Sequence, residues 1–444
     1  MPIMKNFSEF QHPSDYIVAI MQRLYDGGMT TTSGGNLSIM DSDNNLWISP
    51  GGVDKGTLTR NDIMCVKADG SIEGIHKPSS EYPFHRDTLK NLPGARALLH
   101  AHPPALVAFS VASQVPETKV DPISAQICGQ VGFAPYDVPG SEALGKKVSA
   151  EFQNGYSAIL LENHGSCVEG ANLLEAFQRF ETLDFCARAL LNAVQLGTPR
   201  KLSESELKLG QLDRNQEFKK STPQIHSSSE QEQRLQLAKL TRRTYRQQLC
   251  SSLIGTFAAR VGASSFIISK RGVDRGTMTE DDFILVDGIN CEAPADLERE
   301  CWLIRRIFAA RPELNAVIFA QPPHLMGYAV TQEEFDPRVI PESYILLREM
   351  PAFKYETLYN QTDKLLQTLS LRYPIVLLKN TGIISCGRTP LEAFDRLEVA
   401  EYSAKATIAA RRLGGLHPIA GKQLDDLVAA FNLVTDAKVD FLHK

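Results

Sequence analysis

The sequence lacks a long apolar run, an excess of charge of one sign and closely paired cysteines. Its 444 residues include 47 basic and 52 acidic side chains, a formal net charge of −5. This balance argues against broad nucleic-acid binding, which requires a basic surface facing the phosphates. No apolar run approaches the roughly 18 to 20 residues of a membrane span. The polar segment Met1 to Asp15 also lacks the apolar centre of a signal peptide. We therefore expect neither nucleic acid nor membrane as a partner.

The cysteines are scattered rather than paired. Eight are present, and no two stand in a C-x-x-C arrangement. Most lie in apolar surroundings, as Cys65 does in Ile-Met-Cys-Val. Cysteines in such a context are typical of buried free thiols in a reducing compartment. We predict free thiols and a cytoplasmic protein.

An internal repeat dominates the sequence. ISPGGVDKGTLTRNDIMCV (48–66) and ISKRGVDRGTMTEDDFILV (268–286) are identical at 10 of 19 positions. ARALLHAHPP (95–104) corresponds to LNAVIFAQPP (314–323), and LLENHG (160–165) corresponds to LLKNTG (377–382). Three matching blocks in one order at a nearly constant spacing indicate a tandem duplication. We call the two copies the first and second repeats.

The composition between the repeats predicts the domain boundaries. We expect a first domain over residues 1–200, a linker over 201–233 rich in Ser, Gln, Lys and Glu, and a second domain over 234–444. Residues 420–442 predict an additional amphipathic C-terminal helix. Each repeat reads as alternating helices and short strands, which favours a layered α/β or α+β domain, with the strand order left open.

The most informative positions are those at which the repeats differ. In the first repeat, His100 and His102 are two residues apart on a predicted strand, so both face the same side. A third histidine, His164, follows a second strand. Three imidazoles with an open fourth position are typical of a catalytic zinc site. In the second repeat the corresponding residues are Phe319, Gln321 and Thr381, so all three histidines are lost together. This joint loss favours one metal site over three separate core histidines.

A carboxylate and several small residues complete the candidate site. Glu81, after Pro78-Ser79-Ser80, is a candidate general base beside the metal, and a helix-capping role is the alternative. The second repeat keeps a glutamate, Glu300, at this position. The stretches SGGN (33–36) and SPGG (49–52) could turn backbone amides toward an anion. Ordinary turn chemistry explains such stretches equally well.

These motifs resemble the class II aldolase/adducin family. GGNLS, ISPGG, PSSE, HAHP and ENHG stand in the family's order over residues 14–196, and a weaker resemblance covers 235–415. The resemblance implies an α/β/α three-layer sandwich in each repeat. It also implies that His100, His102 and His164 hold one Zn²⁺ per chain and that Glu81 is the acid/base. The residues implied for the substrate phosphate are Gly35, Asn36, Gly51, Gly52, Ser79 and Ser80.

The resemblance implies a reaction class and leaves alternatives. The expected activity is reversible cleavage of a ketose 1-phosphate into a dihydroxyacetone-phosphate-like fragment and an aldehyde. Residues 105–135 contain no tyrosine, whereas aldolases of the family use one as a proton donor. The alternatives are a decarboxylase, epimerase or dehydratase of a sugar derivative. An adducin-like assembly protein without catalysis is the alternative from another class. The family also implies a homo-oligomer, either a ring of four domains from two chains or a larger assembly. The second domain would then be structural or regulatory.

Overall fold

The chain folds into two compact units. The computed structural model describes residues 12–210, 218–222, 226–294 and 300–433, with only the backbone of residue 300. The units are Met1–Leu191 and Asn192–Lys444. The linker predicted over 201–233 stays a prediction, since part of it lies outside the described residues.

The first unit alternates helices and short strands, several of them started by well-defined N-caps. Pro13 opens the first helix after the His12 cap, and Ser141 accepts a hydrogen bond from the amide of Leu144. The helices are α1 (Pro13–Asp26), α2 (Tyr82–Asn91), α3 (Pro104–Val111), α4 (Pro122–Cys128), α5 (Glu142–Gln153) and α6 (Leu173–Ala193). The strands are β1 (Asn36–Met40), β2 (Leu46–Ile48), β3 (Met64–Val66), β4 (Ile72–Glu73), β5 (Ala97–Ala101), β6 (Val131–Ala134), β7 (Ala158–Leu161) and β8 (Ser166–Gly170).

Its strands form one sheet between two layers of helices. The order is β4-β3-β2-β1-β5-β8-β7-β6, with every neighbouring pair antiparallel except β6 and β7. Leu99 and Leu160 belong to the core cluster of one face, with apolar residues of α1 and α6. Leu98 and Ile159 belong to the cluster of the other face, with residues of α2 and α5. Because neighbouring residues of a strand face opposite sides, the sheet has a core on each face.

The second unit repeats this plan with additional elements. Its helices are α7 (Glu204–Leu209), α8 (Ser228–Arg246), α9 (Glu300–Ala310), α10 (Pro323–Ala329), α11 (Pro341–Leu347), α12 (Thr357–Asn360), α13 (Thr362–Thr368), α14 (Pro390–Arg411) and α15 (Lys422–Ala430). Its strands are β9 (Lys219–Lys220), β10 (Thr256–Arg260), β11 (Ser265–Ser269), β12 (Phe283–Asp287), β13 (Asn290–Cys291), β14 (Ala316–Ala320), β15 (Ala352–Phe353), β16 (Ile375–Leu378) and β17 (Gly382–Gly387).

The second sheet preserves the central order of the first. It runs β15-β16-β17-β14-β10-β11-β12-β13-β9, and β9 adds to one edge parallel to β13. The central strand β14 lies between β17 and β10, just as β5 lies between β8 and β1. The prediction of two α/β domains is confirmed. Helix α15 lies within the C-terminal helix predicted over residues 420–442, and the predicted part from residue 434 lies outside the described residues.

Candidate metal centre

The two histidines of the central strand β5 lie together at its end. His100 is on β5 and His102 follows directly after the strand, so both point to the side of Leu98. His100 is fully buried, and its ring packs edge-on against Phe84 of α2 with centroids 5.5 Å apart. The Nε2 atoms of His100 and His102 are 2.9 Å apart. The two imidazoles therefore converge on one point.

The third histidine is supplied by the turn between β7 and β8. Asn163 has a φ of 53°, and the amide of His164 donates to the carbonyl of Leu161 at 3.1 Å. This tight turn brings the ring of His164 within 4.8 Å of the His100 ring and 5.0 Å of the His102 ring, between centroids. One ligand nitrogen from each histidine lies within 4.8 Å of the other two. The structure thus brings together His100, His102 and His164, which we call the metal centre.

Two glycines permit this close approach. A Cβ atom at Gly165 would lie 2.4 Å from Cδ2 of His102 and 2.6 Å from the carbonyl oxygen of Ala101. A Cβ atom at Gly34 would lie 2.8 Å from Nδ1 of His102. Since neither position has room for a side chain, both glycines are required by packing around the metal centre.

Burial favours the neutral form of His100 and His102. Desolvation is the main cause that lowers the pKa of His100 well below its usual range, and the neighbouring His102 and His164 lower it further. Desolvation likewise lowers the pKa of His102 to about 4, with a further contribution from His164. Nδ1 of His100 is 3.0 Å from the carbonyl oxygen of Ser166 and donates to it, which leaves Nε2 with a free lone pair. A neutral imidazole that a carbonyl orients in this way, as Ser166 orients His100, is suited to bind a metal ion.

Glu81 faces the metal centre with both carboxylate oxygens. Its Oε2 lies 3.3 Å from Nε2 of His100, and its Oε1 lies 3.3 Å from Nε2 of His164. The residue is 6% exposed, and Oε1 has no hydrogen-bond donor among the described residues. A buried carboxylate oxygen without a donor is costly unless a cation balances it. Three imidazoles beside this oxygen therefore fit a divalent metal ion.

A buried polar chain behind Glu81 was not predicted from the sequence. The side-chain amide of Asn36 donates to Oε2 of Glu81 at 2.6 Å, and its carbonyl oxygen is 2.5 Å from Nε2 of His85. Nδ1 of His85 is 2.6 Å from the hydroxyl of Ser38. His85 is fully buried, and desolvation lowers its pKa to about 3. The spacing of four residues between Glu81 and His85, at the start of α2, was the sequence signal that could have revealed it.

The predicted anion-binding stretches lie beside Glu81, but not all of their amides are free. Pro50 forms a bridge with Pro78, and a Cβ atom at Gly51 would lie 3.6 Å from Cα of Ser79 and 3.7 Å from the amide nitrogen of Ser80. The amide of Gly51 donates to the carbonyl of Lys77 at 3.0 Å, and that of Ser79 donates to Ser49 at 3.2 Å. These amide hydrogens are therefore used within the fold rather than offered to an anion.

Two other residues of the predicted anion site, Asn36 and Gly35, lie next to Glu81 and His100. The side chain of Asn36 is bound to Glu81 and His85, as described above. Gly35 has a φ of 71°, and a Cβ atom there would lie 2.9 Å from the carbonyl oxygen of His100. The binding of a phosphate by this group of residues stays a prediction.

The second repeat fills the corresponding position with packed side chains. Phe319 belongs to the apolar core of its unit, and the side-chain amide of Gln321 donates to the carbonyl of Thr381 at 2.6 Å. The side chain of Glu300, the counterpart of Glu81, lies outside the described residues. Among the described residues, the metal centre of the first unit is the one group of three histidine, cysteine or carboxylate ligands close enough to share an ion.

All eight cysteines are buried and free, as predicted. None of the helices in the described part of the chain is long and apolar enough to cross a membrane.

The class II aldolase and adducin N-terminal domain family matches this chain twice, over residues 15–191 and 235–408. The protein therefore belongs to this family and contains its domain as a tandem duplication, so the resemblance noted from the sequence motifs is confirmed.

Individual relatives of the chain carry different activities. The chain is 31% identical over 198 residues to a 3-oxo-tetronate 4-phosphate decarboxylase of Haemophilus influenzae, covering 44% of this chain and 93% of that protein. It is 32% identical over 202 residues to a 5-deoxy-D-ribulose 1-phosphate aldolase of Bacillus thuringiensis, covering 44% and 92%. It is 31% identical over 172 residues to an L-fuculose phosphate aldolase of Methanococcus maripaludis, covering 38% and 92%.

Proposed function

We propose that the first repeat is a zinc-dependent carbon–carbon lyase acting on a sugar phosphate of the ketose 1-phosphate type. Its products would be a dihydroxyacetone-phosphate-like fragment and an aldehyde, in a reversible aldol cleavage. The observation that carries this proposal is the buried Glu81, which has one oxygen lacking a donor and lies beside the three imidazoles of the metal centre. His100, His102 and His164 would hold the zinc ion. A zinc ion bound there supplies a Lewis acid for the oxygens of a hydroxyketone.

Glu81 is suited to exchange the proton of the reaction. Asn36 donates to Oε2 and fixes the carboxylate, so Oε1 remains available to take up a proton and return it. Its burial and the hydrogen bond from Asn36 would hold the carboxylate in one orientation during the reaction.

We assign the substrate phosphate to the neighbouring small residues. Ser79 and Ser80 can donate hydroxyl hydrogens, and Gly35, Asn36, Gly51 and Gly52 form the adjoining backbone. Because the Gly51 and Ser79 amides are used within the fold, the hydroxyls would provide more of the binding than the sequence motifs implied.

The second repeat would have a structural or regulatory role. Its three counterpart residues pack internally, so it offers no second centre of this type among the described residues. We propose that the chain works as a homo-oligomer in the cytoplasm, where its eight free thiols remain reduced.

The second candidate reaction is decarboxylation of a 3-oxo acid phosphate. Relatives with that activity are as similar to this chain as those with aldolase activity. Both reactions generate a carbanion next to a carbonyl, so both can use the same Lewis acid and the same carboxylate.

Metal analysis tests the proposal, and a substrate panel separates the two reactions. We expect about one zinc ion per chain, lost in His100→Ala and retained in Thr381→Ala, which alters the counterpart of His164 in the second repeat. Ketose 1-phosphates and 3-oxo acid phosphates should then be supplied to the zinc-loaded protein, with aldehyde and carbon dioxide release measured in parallel. Full turnover in metal-free protein, or no turnover of either class by the zinc-loaded protein, would contradict the proposal and favour the adducin-like alternative.

A further inference from the structure

The segments that follow the last helix of each repeat are counterparts with different surroundings. Helix α6 is followed by residues 196–202 (LGTPRKL), and α14 is followed by residues 413–419 (LGGLHPI). A second helix begins shortly after each, at Glu204 and at Lys422. We call them the first and second tails. Leu196 of the first tail is 8% exposed, whereas its counterpart Leu413 is 90% exposed.

The first tail belongs to the second unit and contacts other residues of that unit through three hydrogen bonds at Arg200. The amide of Arg200 donates to the carbonyl of Val330 at 2.7 Å. The side chain of Asn380 donates to the carbonyl of Arg200 at 2.8 Å and accepts from its guanidinium at 2.9 Å. As a result, Val330 and Asn380 are each 1% exposed.

The first repeat has the same receiving surface without such a segment. Val111 and Asn163 correspond to Val330 and Asn380, and we call this pair the docking face. Asn163 and Asn380 have φ values of 53° and 55°, and their amides donate to the equivalent carbonyls of Ser110 and Ala329. Yet Val111 is 60% exposed, Asn163 is exposed, and its side chain has no hydrogen-bond partner in the described part of the chain.

We infer that the docking face of one chain binds the second tail of another chain. The contact would copy the one observed in the second unit: the amide of His417 would donate to the carbonyl of Val111, and the side chain of Asn163 would donate to the carbonyl of His417. Leu413 and Val111, both exposed in the single chain, would become buried. Within its own unit the second tail keeps one contact, in which the amide of Ile419 donates to the carbonyl of Arg338 at 2.7 Å. We infer that the tail bound to the docking face comes from another chain.

This contact is heterologous, because a tail on one chain meets a different surface on the next. Such contacts either close into a ring or continue into a filament. In a ring of two chains, four domains would follow one another, with each tail docked on the next domain. The turn that carries Asn163 also carries His164, so the docked tail would lie at the edge of the metal centre.

Light scattering of the full-length protein tests the assembly. We expect two or more chains in the wild-type assembly and single chains for both Val111→Asp and Leu413→Asp, because each buries a charge in the proposed contact. Ile72→Asp is the matched control, since Ile72 is 57% exposed on β4 and lies outside the docking face. A single-chain wild-type protein, or variants that assemble like the wild type, would overturn the inference.

A disulfide experiment tests the geometry independently of zinc and turnover. A chain with Asn163→Cys is mixed with a chain carrying His417→Cys and oxidised, while the eight native cysteines remain buried. We expect a covalent pair of the two different chains. Formation of that disulfide inside a single chain carrying both substitutions, with none between mixed chains, would refute binding between chains.

Discussion

The properties of Glu81 depend on residues that do not touch the metal centre directly. Asn36 fixes one oxygen of the carboxylate, and His85 orients Asn36 through a buried hydrogen bond. A ligand or base whose partner is positioned in this way keeps one orientation through the reaction. His85 is therefore a positioning residue.

Replacement of His85 tests whether this residue positions Asn36 without contributing to metal binding. We expect His85→Leu to retain zinc near the wild-type content and to lower kcat about tenfold or more, because Asn36 would lose its partner. His85→Gln, which can still donate to Asn36, should restore much of the activity. Metal analysis and steady-state kinetics measure both effects; zinc loss in His85→Leu, or equal activity of the two variants, would disagree with a positioning role.

Asp184 on α6 should make stability depend on pH. Burial raises its pKa from the ordinary 3.8 to about 6, although Arg188 at 3.7 Å opposes the shift. For a carboxyl whose folded pKa is raised, the stabilisation is complete below the unfolded pKa and is lost as the pH rises through about 6. Asp184→Asn should thus stabilise the protein above pH 6, by about 3 kcal/mol at most, and by progressively less toward pH 4. Urea unfolding of both proteins across this range checks the sign, and a pH-independent difference would contradict it.

At the scale of elements, the site depends on the pairing of distant strands. Asn36 on β1 lies opposite His100 on β5, and β5 pairs in turn with β8, which follows His164 and Gly165. The motif spacing predicted that these residues belong to one site. It could not predict which strands are neighbours, because pairing is set by packing among residues far apart in the chain.

The turn between β7 and β8 offers a test at this scale. Gly165→Ala should abolish most zinc binding and destabilise the first unit, because its Cβ atom would overlap His102 and the Ala101 carbonyl. Gly197→Ala is the control, since a Cβ atom there meets no atom within 4 Å. Zinc content and thermal unfolding measure the effect, and normal zinc binding by Gly165→Ala would show that the turn can adjust.

At the scale of the whole molecule, the two repeats share a framework but not a site. The same central strands and the same turn conformation occur in both units, while Phe319, Gln321 and Thr381 replace the three histidines. A duplicated domain that loses its ligands can keep its core, because the ligands contribute little to the apolar packing.

Metal removal should therefore affect one unit selectively. A chelator should lower the unfolding temperature of the first unit, because a metal bound only to the folded state stabilises it by mass action. The unfolding of the second unit should be unchanged. Calorimetry with and without chelator measures this, and in His100→Ala the chelator should have no effect; a uniform shift of both units would argue against a metal held by the first unit alone.

The amino-acid sequence was sufficient to predict the duplication, the α/β class and the grouping of the three histidines. Period-two spacing places His100 and His102 on one side of a strand, and the second repeat acts as an internal control for His164. Local spacing and comparison within one chain are sufficient for such inferences.

The remaining features depend on contacts between distant residues. The direction of the Glu81 carboxylate, the Asn36–His85–Ser38 chain and the use of the Gly51 amide follow from the sheet register and from the packing of α2. The difference between the buried Asn380 and the exposed Asn163 likewise depends on where a tail lies. Only the folded chain decides these features, because burial and hydrogen bonding are properties of the neighbours that folding brings together.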